Sequence, residues 1–206
     1  MNITIKLFLT ILRNKNTDLK TFRKAAYNLS QVLAQQALQV CKTEPTTVET
    51  PIAPVAQGLI RKQRTILVPI LRSGITMLPA FLDYFETAVI AVVGLKRDEV
   101  TAQAHLYYSN IPILSSDDQI IILDPMIATG GTAIATIQLL QSKGITAKQI
   151  IFVAMVGAPQ GMIAIKQEFP DLTLLVAGHD EGLTKDKFII PGLGDFGDRF
   201  FGTLDE

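Results

Sequence analysis

The sequence predicts an α/β protein with a mainly parallel central sheet flanked by helices. Three observations support this prediction: short, nearly continuous apolar runs, helix-period segments that alternate with them, and a long amphipathic segment ahead of both. The 206 residues are 48% hydrophobic and 18% charged, which excludes a wholly disordered chain and permits a sizeable core. We expect a single domain over residues 1–206.

The first predicted element is an N-terminal helical arm at about residues 17–42. From Leu19 to Val40 the apolar residues recur at helical spacing on one face, which predicts a long amphipathic helix. Residues 43–54 contain three prolines and several threonines, so we expect an extended connection or an edge strand there.

Five strands and two clear helices are predicted along the rest of the chain. The strands correspond to the apolar runs at residues 65–71, 88–95, 119–123, 150–156 and 172–177, and the helices lie at residues 132–143 and 160–169. Ligands of parallel sheets bind beyond the carboxyl ends of the strands. The loops after these runs are therefore where we expect the chemistry.

Charge is unevenly distributed along the chain, although 19 basic and 19 acidic side chains cancel to a formal net charge of zero. Residues 1–72 carry 11 Lys or Arg and 3 Asp or Glu, whereas residues 73–206 carry 8 and 16. The basic N-terminal third keeps open a function in nucleic-acid binding, because clustered cations contact phosphates. The alternative is that these cations form the solvated face of an amphipathic helix and a solvated turn.

Cysteine content and apolar run lengths indicate the compartment. Cys41 is the only cysteine, which excludes a disulfide-stapled secreted scaffold. The apolar run at residues 7–12 is too short for a signal peptide, and the one at residues 88–95 is far below the roughly 20 residues that span a bilayer. We expect a cytoplasmic protein.

A carboxylate and a loop of small residues follow the apolar run at residues 119–123. Asp124 stands at the strand end, and residues 129–132, Thr-Gly-Gly-Thr, lead directly into a helix. Backbone N–H groups and a helix N-terminus bind phosphate, whereas the absence of Gly-Lys-Ser/Thr excludes a Walker A loop. The alternative is that the two glycines only make a tight turn with Thr132 as a helix cap.

Two arginines follow other apolar runs. Arg72 comes directly after the run at residues 65–71, and Arg97 comes just past the run at residues 88–95. A guanidinium in either place can grip pyrophosphate oxygens through bidentate, charge-assisted hydrogen bonds. Either arginine alone is also compatible with a solvated charge at a strand end.

Together these segments resemble the uracil phosphoribosyltransferases, a family of type I phosphoribosyltransferases. Residues 124–132 are similar to the family's phosphoribosyl pyrophosphate motif, residues 68–74 to its Pro-Ile-Leu-Arg segment, and residues 188–203 to its C-terminal signature. The resemblance implies the family's fold, with a base-binding hood loop at about residues 188–203. It also implies that residues 99–112 correspond to a mobile lid, and that Phe196, where many members have alanine, tightens the pocket or alters the base accepted.

The resemblance further implies the site residues. Phosphoribosyl pyrophosphate would contact Arg72, Arg97, Asp124, Pro125, Met126, Ile127, Ala128, Thr129, Gly130, Gly131, Thr132 and Asp195. Uracil would contact Ile189, Gly194, Asp195 and Phe196, and the catalytic residues would be Asp195, Arg72 and Arg97.

The implied reaction is transfer of the phosphoribosyl group from phosphoribosyl pyrophosphate to uracil, which gives UMP and diphosphate in pyrimidine salvage. Mg²⁺ would be bound by the substrate and not by a protein metal site. The implied partners are the two substrates and other copies of the chain in a homodimer or higher homo-oligomer, without a membrane or nucleic acid. Two alternatives stay open: an RNA-binding regulator of the pyrimidine pathway and a catalytically weak paralogue.

Overall fold

The computed structural model describes residues 2–97 and 104–203. Within these residues the helices are α1 (Ile3–Arg13), α2 (Leu19–Val40), α3 (Leu78–Leu82), α4 (Gly131–Gln141), α5 (Pro159–Glu168) and α6 (Phe196–Phe201). The strands are β1 (Glu44–Val48), β2 (Ala56–Ile60), β3 (Thr65–Leu71), β4 (Val89–Ile90), β5 (Val93–Arg97), β6 (Ala104–Ser109), β7 (Gln119–Leu123), β8 (Met126–Ile127), β9 (Ile150–Gly157), β10 (Thr173–His179), β11 (Gly182–Leu183) and β12 (Ile189–Ile190).

The central sheet confirms the predicted fold class. Its strands follow the order β10-β9-β7-β3-β5-β6, with β4 paired to β3 and β8 paired to β9. Every pairing among the described strands of this sheet is parallel except that of β5 with the edge strand β6. Strands β1–β2 and β11–β12 form two separate antiparallel pairs.

Side chains on the two faces of the sheet enter two different cores. Along β3, Leu67 packs with α1, α2 and α3, whereas Ile66 and Val68 pack with α4 and α5. Strand β7 alternates in the same way, with Ile121 on the first face and Ile122 on the second. Because both faces are covered, β3 from Ile66 onward and β7 from Ile120 onward consist of uninterrupted apolar residues, as the sequence indicated.

Helix α2 has the predicted bounds and a clear physical origin. Its cap residue Asp18 accepts a hydrogen bond from the backbone N–H of Thr21 at 3.0 Å. Phe22, Leu29 and Leu33 are buried against the sheet, as expected for an amphipathic helix that covers a core.

Three segments differ in detail from the sequence predictions. Helix α1 was not predicted, because exposed Ile3 and Leu7 blur the helical period of its buried face. The predicted strand at residues 88–95 is divided into β4 and β5, which pair with β3 in the same register. The gap between them lies opposite Pro69 of β3, which has no N–H to donate to the ladder. Residues 43–54 contain a strand, β1, as the sequence analysis allowed, but its hairpin partner β2 was not predicted.

Candidate active site

The site lies where three adjacent strands end. Strand β3 lies between β7 and β5, so the residues that follow these parallel strands come to the same edge of the sheet. A cavity of about 170 Å³ opens there, and its wall consists of Ser73, Asp124 and residues 126–133. Eight of the nine residues in the predicted phosphate segment 124–132 therefore line one cavity.

The exception in that segment is Pro125. It is buried, and its carbonyl accepts hydrogen bonds from the N–H groups of Met155 and Val156 at 2.9 and 3.1 Å. The next residues form β8, which pairs with β9 from Met126 onward. Pro125 thus attaches the phosphate segment to the sheet and does not face the cavity.

Close packing shapes the phosphate loop. Gly130 has a φ of +87°, and a Cβ there would lie 2.8 Å from the carbonyl oxygen of Gly161. Helix α4 starts at Gly131, and its first N–H-to-carbonyl bond of helical spacing joins Ile134 to Gly130 at 2.9 Å. The preceding N–H groups of the first turn lack a partner inside the helix and lie in the cavity wall, an arrangement that favours an anion.

Asp124 is the carboxylate in the cavity wall. It is partly buried, and burial raises the pKa of its carboxyl group to about 7. The backbone N–H of Met126, 3.5 Å from Oδ1, opposes this rise in pKa only weakly. Asp124 is therefore held between its neutral and ionised forms near neutral pH, where it can accept or donate a hydrogen bond.

Arg72 lies beside the cavity. The next residue, Ser73, is in the wall, and Gly74 packs so closely under β7 that a Cβ would lie 2.1 Å from the carbonyl oxygen of Leu123. The Arg72 side chain is 64% exposed, and its Nη2 lies 3.4 Å from Oδ1 of Asp198. This contact is an exposed, long ion pair that an anion in the cavity can displace at little cost.

The C-terminal segment reaches the same cavity. A Cβ on Gly197 would lie 2.9 Å from Oγ of Ser73, so the first turn of α6 lies against the cavity wall. Asp195 caps α6, and its Oδ1 accepts the N–H of Asp198 at 2.9 Å. Exposed Gly194 precedes it with a φ of +79°, and half-buried Ile189 lies in β12.

Phe196 is placed differently from its neighbours. Its side chain is fully buried, and its ring lies 5.4 Å from that of Phe22 and 5.8 Å from that of Phe200. The phenyl group thus belongs to the core beneath α6, so a ligand beside residue 196 would meet backbone. The expectation that this side chain tightens the pocket finds no support in its position.

Two of the predictions fall on or beside residues outside the described ranges. Strand β5 ends at Arg97, as the sequence analysis expected of an arginine at a strand end, but the side chain of Arg97 is not among those described. Of the predicted lid at residues 99–112, residues 99–103 lie outside the described part, and β6 begins at Ala104.

Sequence reasoning assigned no role to two residues that the structure brings to the site. Ser73 lines the cavity, and Asp198 pairs with Arg72. Their positions in the chain give partial signals, since Ser73 follows Arg72 and Asp198 lies in the C-terminal signature. Which side chain contacts which depends on a contact between residues 126 positions apart.

Several cations of the basic N-terminal third have partners in the folded chain. Arg13 pairs with Asp180, Lys62 lies 2.6 Å from Glu44, and Arg64 lies 2.6 Å from Asp118. The pairs of Arg13 and Arg64, whose acidic partners belong to residues 73–206, account for part of the charge asymmetry without a polyanion.

Within residues 2–97 and 104–203, no three or more His, Cys, Asp or Glu side chains are grouped in a way that could hold a metal ion. None of the described helices has the length and apolar character needed to cross a bilayer.

Comparison with known proteins identifies close relatives by sequence. A family model described as Uracil phosphoribosyltransferase matches residues 2–203. The uracil phosphoribosyltransferase of Latilactobacillus sakei subsp. sakei (strain 23K) is 39% identical over 195 residues, which cover 95% of this chain and 92% of that protein. The uracil phosphoribosyltransferase of Enterococcus faecalis (strain ATCC 700802 / V583) is 38% identical with the same coverage.

Solved structures share the fold. The AQ2163 protein from Aquifex aeolicus has a TM-score of 0.90 and 31% identity, with 100% of this chain and 98% of that chain covered. A hypoxanthine-guanine phosphoribosyltransferase from Bacillus anthracis has a TM-score of 0.50 and 11% identity over 79% of this chain and 80% of its own. The second likeness concerns the fold alone.

Proposed function

Because the chain belongs to the uracil phosphoribosyltransferase family, we propose that the cavity beyond β3 and β7, together with the loop at residues 188–203, binds phosphoribosyl pyrophosphate and uracil. The protein is an enzyme that transfers the phosphoribosyl group from phosphoribosyl pyrophosphate to uracil, giving UMP and diphosphate. One observation carries the assignment of the site: the three sequence motifs lie in contact with one another. Gly74 packs against Leu123, the residue before Asp124, and Gly197 packs against Ser73.

The 5′-phosphate is assigned to residues 127–132. The supporting geometry is a loop that leads into the N-terminus of α4, with the N–H groups of its first turn in the cavity wall. Neutral Gly and Thr residues suit this role, because the loop supplies donors without the entropy of ordering long cationic side chains. Gly130 allows the loop to adopt a positive φ and to pack directly against the backbone of Gly161.

The ribose is assigned to Asp124. In the ionised form its carboxylate accepts hydrogen bonds from sugar hydroxyls, which offset the repulsion between the carboxylate and the phosphate nearby. The same carboxylate suits a Mg²⁺ ion that arrives on the substrate and keeps most of its waters, because hard cations prefer oxygen ligands. Such an ion supplies charge neutralisation for pyrophosphate when it is bound.

The pyrophosphate is assigned to Arg72 and Arg97. As the bond from C1 of the ribose to pyrophosphate breaks, negative charge grows on the leaving group and positive charge grows on the sugar. A guanidinium beside the leaving group stabilises the departing charge more in the transition state than in the ground state. For Arg72 this requires release from Asp198, and the exposure of that ion pair favours the exchange.

Uracil is assigned to the loop that carries Ile189, Gly194, Asp195 and Phe196. Gly194 exposes its backbone without a Cβ, which lets a planar base approach the chain closely. For Phe196 the buried ring leaves the backbone as the contact. We assign removal of the N1 proton of uracil to Oδ2 of Asp195, since Oδ1 is engaged in capping α6.

The remaining assignments extend beyond the site. We propose that residues 99–112 close over the substrates, that the enzyme is cytoplasmic, that residues 1–206 form a single domain, and that the chain assembles as a homodimer or a higher homo-oligomer. The resemblance supports these proposals, and an exposed apolar hairpin, β1–β2, supports the last one. The RNA-binding regulator is not favoured, because the relatives by sequence are named as enzymes.

Turnover of labelled uracil tests the proposed site. The purified chain is incubated with uracil, phosphoribosyl pyrophosphate and Mg²⁺, and UMP is quantified beside an Arg72→Ala variant. We expect UMP from the natural chain and at least about a hundredfold less from the variant, the loss typical of a missing charge-stabilising donor. UMP formation that is equal in both proteins would remove Arg72 from the proposed site.

A further inference from the structure

A buried carboxylate outside the proposed site holds the base loop in place. Asp180 follows β10, the edge strand of the sheet, and its side chain is 1% exposed. Its Oδ2 accepts hydrogen bonds from Nη1 of Arg13 at 3.0 Å and from the backbone N–H of Gly192 at 2.9 Å, and its Oδ1 accepts one from Nη2 of Arg13. One carboxylate thereby joins the end of α1 to the loop after β12.

Arg13 completes the enclosure of Gly192. The same Nη1 that binds Asp180 also donates to the Gly192 carbonyl at 2.8 Å, so both polar groups of Gly192 are held. The local backbone has little room to rearrange, because Gly192 has a φ of +62° and a Cβ on it would lie 2.2 Å from the carbonyl oxygen of Ile189. The turn from Ile189 to Gly192 is fixed from both sides.

Arg199 holds the next peptide unit. It donates to the Leu193 carbonyl at 2.6 Å and to the Asn14 carbonyl at 2.7 Å, and its guanidinium stacks 4.4 Å above the ring of Phe22. It also donates to the carbonyl of Leu12. The C-terminal end of α1 is therefore bonded to two consecutive residues of the loop.

We infer that Asp180 and Arg13 are positioning residues for uracil, and that α1 is part of the base site through them. Residues 192 and 193, which they and Arg199 fix, lie in the chain between Ile189 and Gly194, the residues assigned to the base. Recognition by backbone groups demands an accurately placed chain, because a displacement of about 1 Å can cost two orders of magnitude in rate. This inference rests on the proposed function, since it takes residues 189–196 as the uracil site.

A matched control pair, Arg64 with Asp118, lies at the amino-terminal ends of β3 and β7. Arg64 donates from Nε to Oδ1 of Asp118 at 2.8 Å and from Nη2 to Oδ2 at 2.6 Å, and the Asp118 side chain is 4% exposed. Asp118 directly precedes β7, whereas the cavity lies beyond the other end of that strand. In each ion pair a buried carboxylate binds a partly exposed arginine through two hydrogen bonds, but only the pair with Asp180 touches the base loop.

Steady-state kinetics of the full chain test the inference with Asp180→Asn and Asp118→Asn, after the natural chain has been shown to make UMP. We expect both variants to lower Tm, because each replaces a buried carboxylate, which accepts two charge-assisted hydrogen bonds from an arginine, with a neutral amide. Only Asp180→Asn should raise the KM for uracil, by about tenfold, with the KM for phosphoribosyl pyrophosphate within twofold of the natural value. Arg13→Lys, which keeps the charge and loses the bidentate fork, should raise the same KM in part.

The comparison of Asp180→Asn with Asp118→Asn distinguishes a positioning role for Asp180 from a purely structural one. An unchanged uracil KM in Asp180→Asn, or equal rises of this KM in Asp180→Asn and Asp118→Asn, overturns the inference and leaves the proposed function intact. If Asp180→Asn does not fold, Arg13→Lys decides in the same way. Absence of UMP from the natural chain would instead overturn the proposed function and, with it, the uracil site on which the inference depends.

Discussion

At the residue scale, the burial of Asp124 and its proposed contact with ribose favour opposite protonation states of its carboxyl group. Its place in the cavity wall removes water from the carboxyl group, and this burial raises the pKa to about 7 from the ordinary 3.8. Binding a ribose through its oxygens favours the ionised form. The enzyme therefore holds a group that is costly to ionise without substrate and is stabilised in its ionised form by substrate.

The pH dependence of stability follows from this pKa. Between pH 3.8 and about 7 the unfolded chain ionises residue 124 while the folded chain keeps it protonated, so the free energy of unfolding falls as the pH rises. Asp124→Asn removes this dependence and should stabilise the chain by roughly 1–3 kcal/mol at pH 8 but not at pH 4, given about 1.4 kcal/mol per pKa unit and partial exposure of the side chain. Urea unfolding at the two pH values measures this difference. A stability difference between the two proteins that is the same at pH 4 and pH 8 would contradict the assignment.

The Arg72→Lys variant measures how much the bidentate geometry of the guanidinium contributes to catalysis. Arg72→Lys keeps one positive charge beside Ser73 but loses bidentate contact with pyrophosphate, so we expect kcat/KM for phosphoribosyl pyrophosphate to fall by roughly tenfold, between the natural chain and Arg72→Ala. Steady-state rates with varied phosphoribosyl pyrophosphate measure it. Lys62→Ala is the control, since that exposed cation pairs with Glu44 on the hairpin, and it should stay within twofold.

At the scale of elements, the phosphate loop depends on close contact with α5. Gly130 and Gly161 approach each other so tightly that neither tolerates a Cβ: one on Gly161 would lie 2.4 Å from the carbonyl oxygen of Ala128. The start of α5 thus forms the floor under the loop, and the loop conformation is set by packing as well as by its own glycines.

Two glycine substitutions separate the loop's shape from backbone strain. Gly130→Ala and Gly144→Ala both place alanine at a positive φ, +87° and +93°, and each should cost roughly 1 kcal/mol or more of stability. Only the Cβ at residue 130 meets another atom, the Gly161 oxygen, since nothing lies within 4 Å at residue 144. We expect Gly130→Ala alone to weaken phosphoribosyl pyrophosphate binding, measured by calorimetric titration. Equal affinities in the two variants would show that the loop's packing does not determine binding.

Elements with an unambiguous pattern were predictable from the sequence. Helix α2, β3 and β7 have the predicted bounds, because each is either strongly amphipathic or buried on both faces. The break between β4 and β5 was not predictable, since it follows from Pro69 on a neighbouring strand. Strand alternation and strand ends sufficed to place Asp124 and Arg72 at one edge of the sheet.

Contacts between distant parts of the chain could not be predicted. Arg13 and Asp180 are 167 residues apart, and their pairing depends on how α1 packs beside β10. The orientation of Phe196 has the same cause, because its ring turns towards Phe22 of α2 and away from the loop surface. Periodicity and motif spacing contain no information on such long-range partners.

At the scale of the whole molecule, a net charge of zero results from an uneven distribution of charged residues along the chain. The cavity wall contains the carboxylate of Asp124 and many neutral residues, and the proposed anion site relies on a helix N-terminus and nearby arginines. Part of the basic surplus of the N-terminal third is neutralised by Asp180 and Asp118, which belong to the acidic remainder of the chain. Net charge therefore says little about this substrate.

The hairpin β1–β2 leads to a prediction on assembly. It pairs with no other strand among the described residues, and Val48, Ile52, Val55 and Leu59 on it are 51%, 97%, 61% and 73% exposed. The double variant Ile52→Asp/Leu59→Asp should convert the expected dimer into a monomer in sedimentation velocity. Ile113→Asp is the control, since residue 113 is 92% exposed in the segment between β6 and β7 and should leave the dimer intact. A dimer that persists in the double variant would exclude the hairpin as the contact.

A crystal structure of the enzyme with UMP tests most directly whether the three motifs form one site. We predict that the phosphate of UMP lies about 3 Å from backbone nitrogens at the start of α4, and that the pyrimidine ring lies against residues 189–196. The ribose should contact Asp124. A phosphate bound elsewhere, or a base outside that loop, would contradict the proposed site.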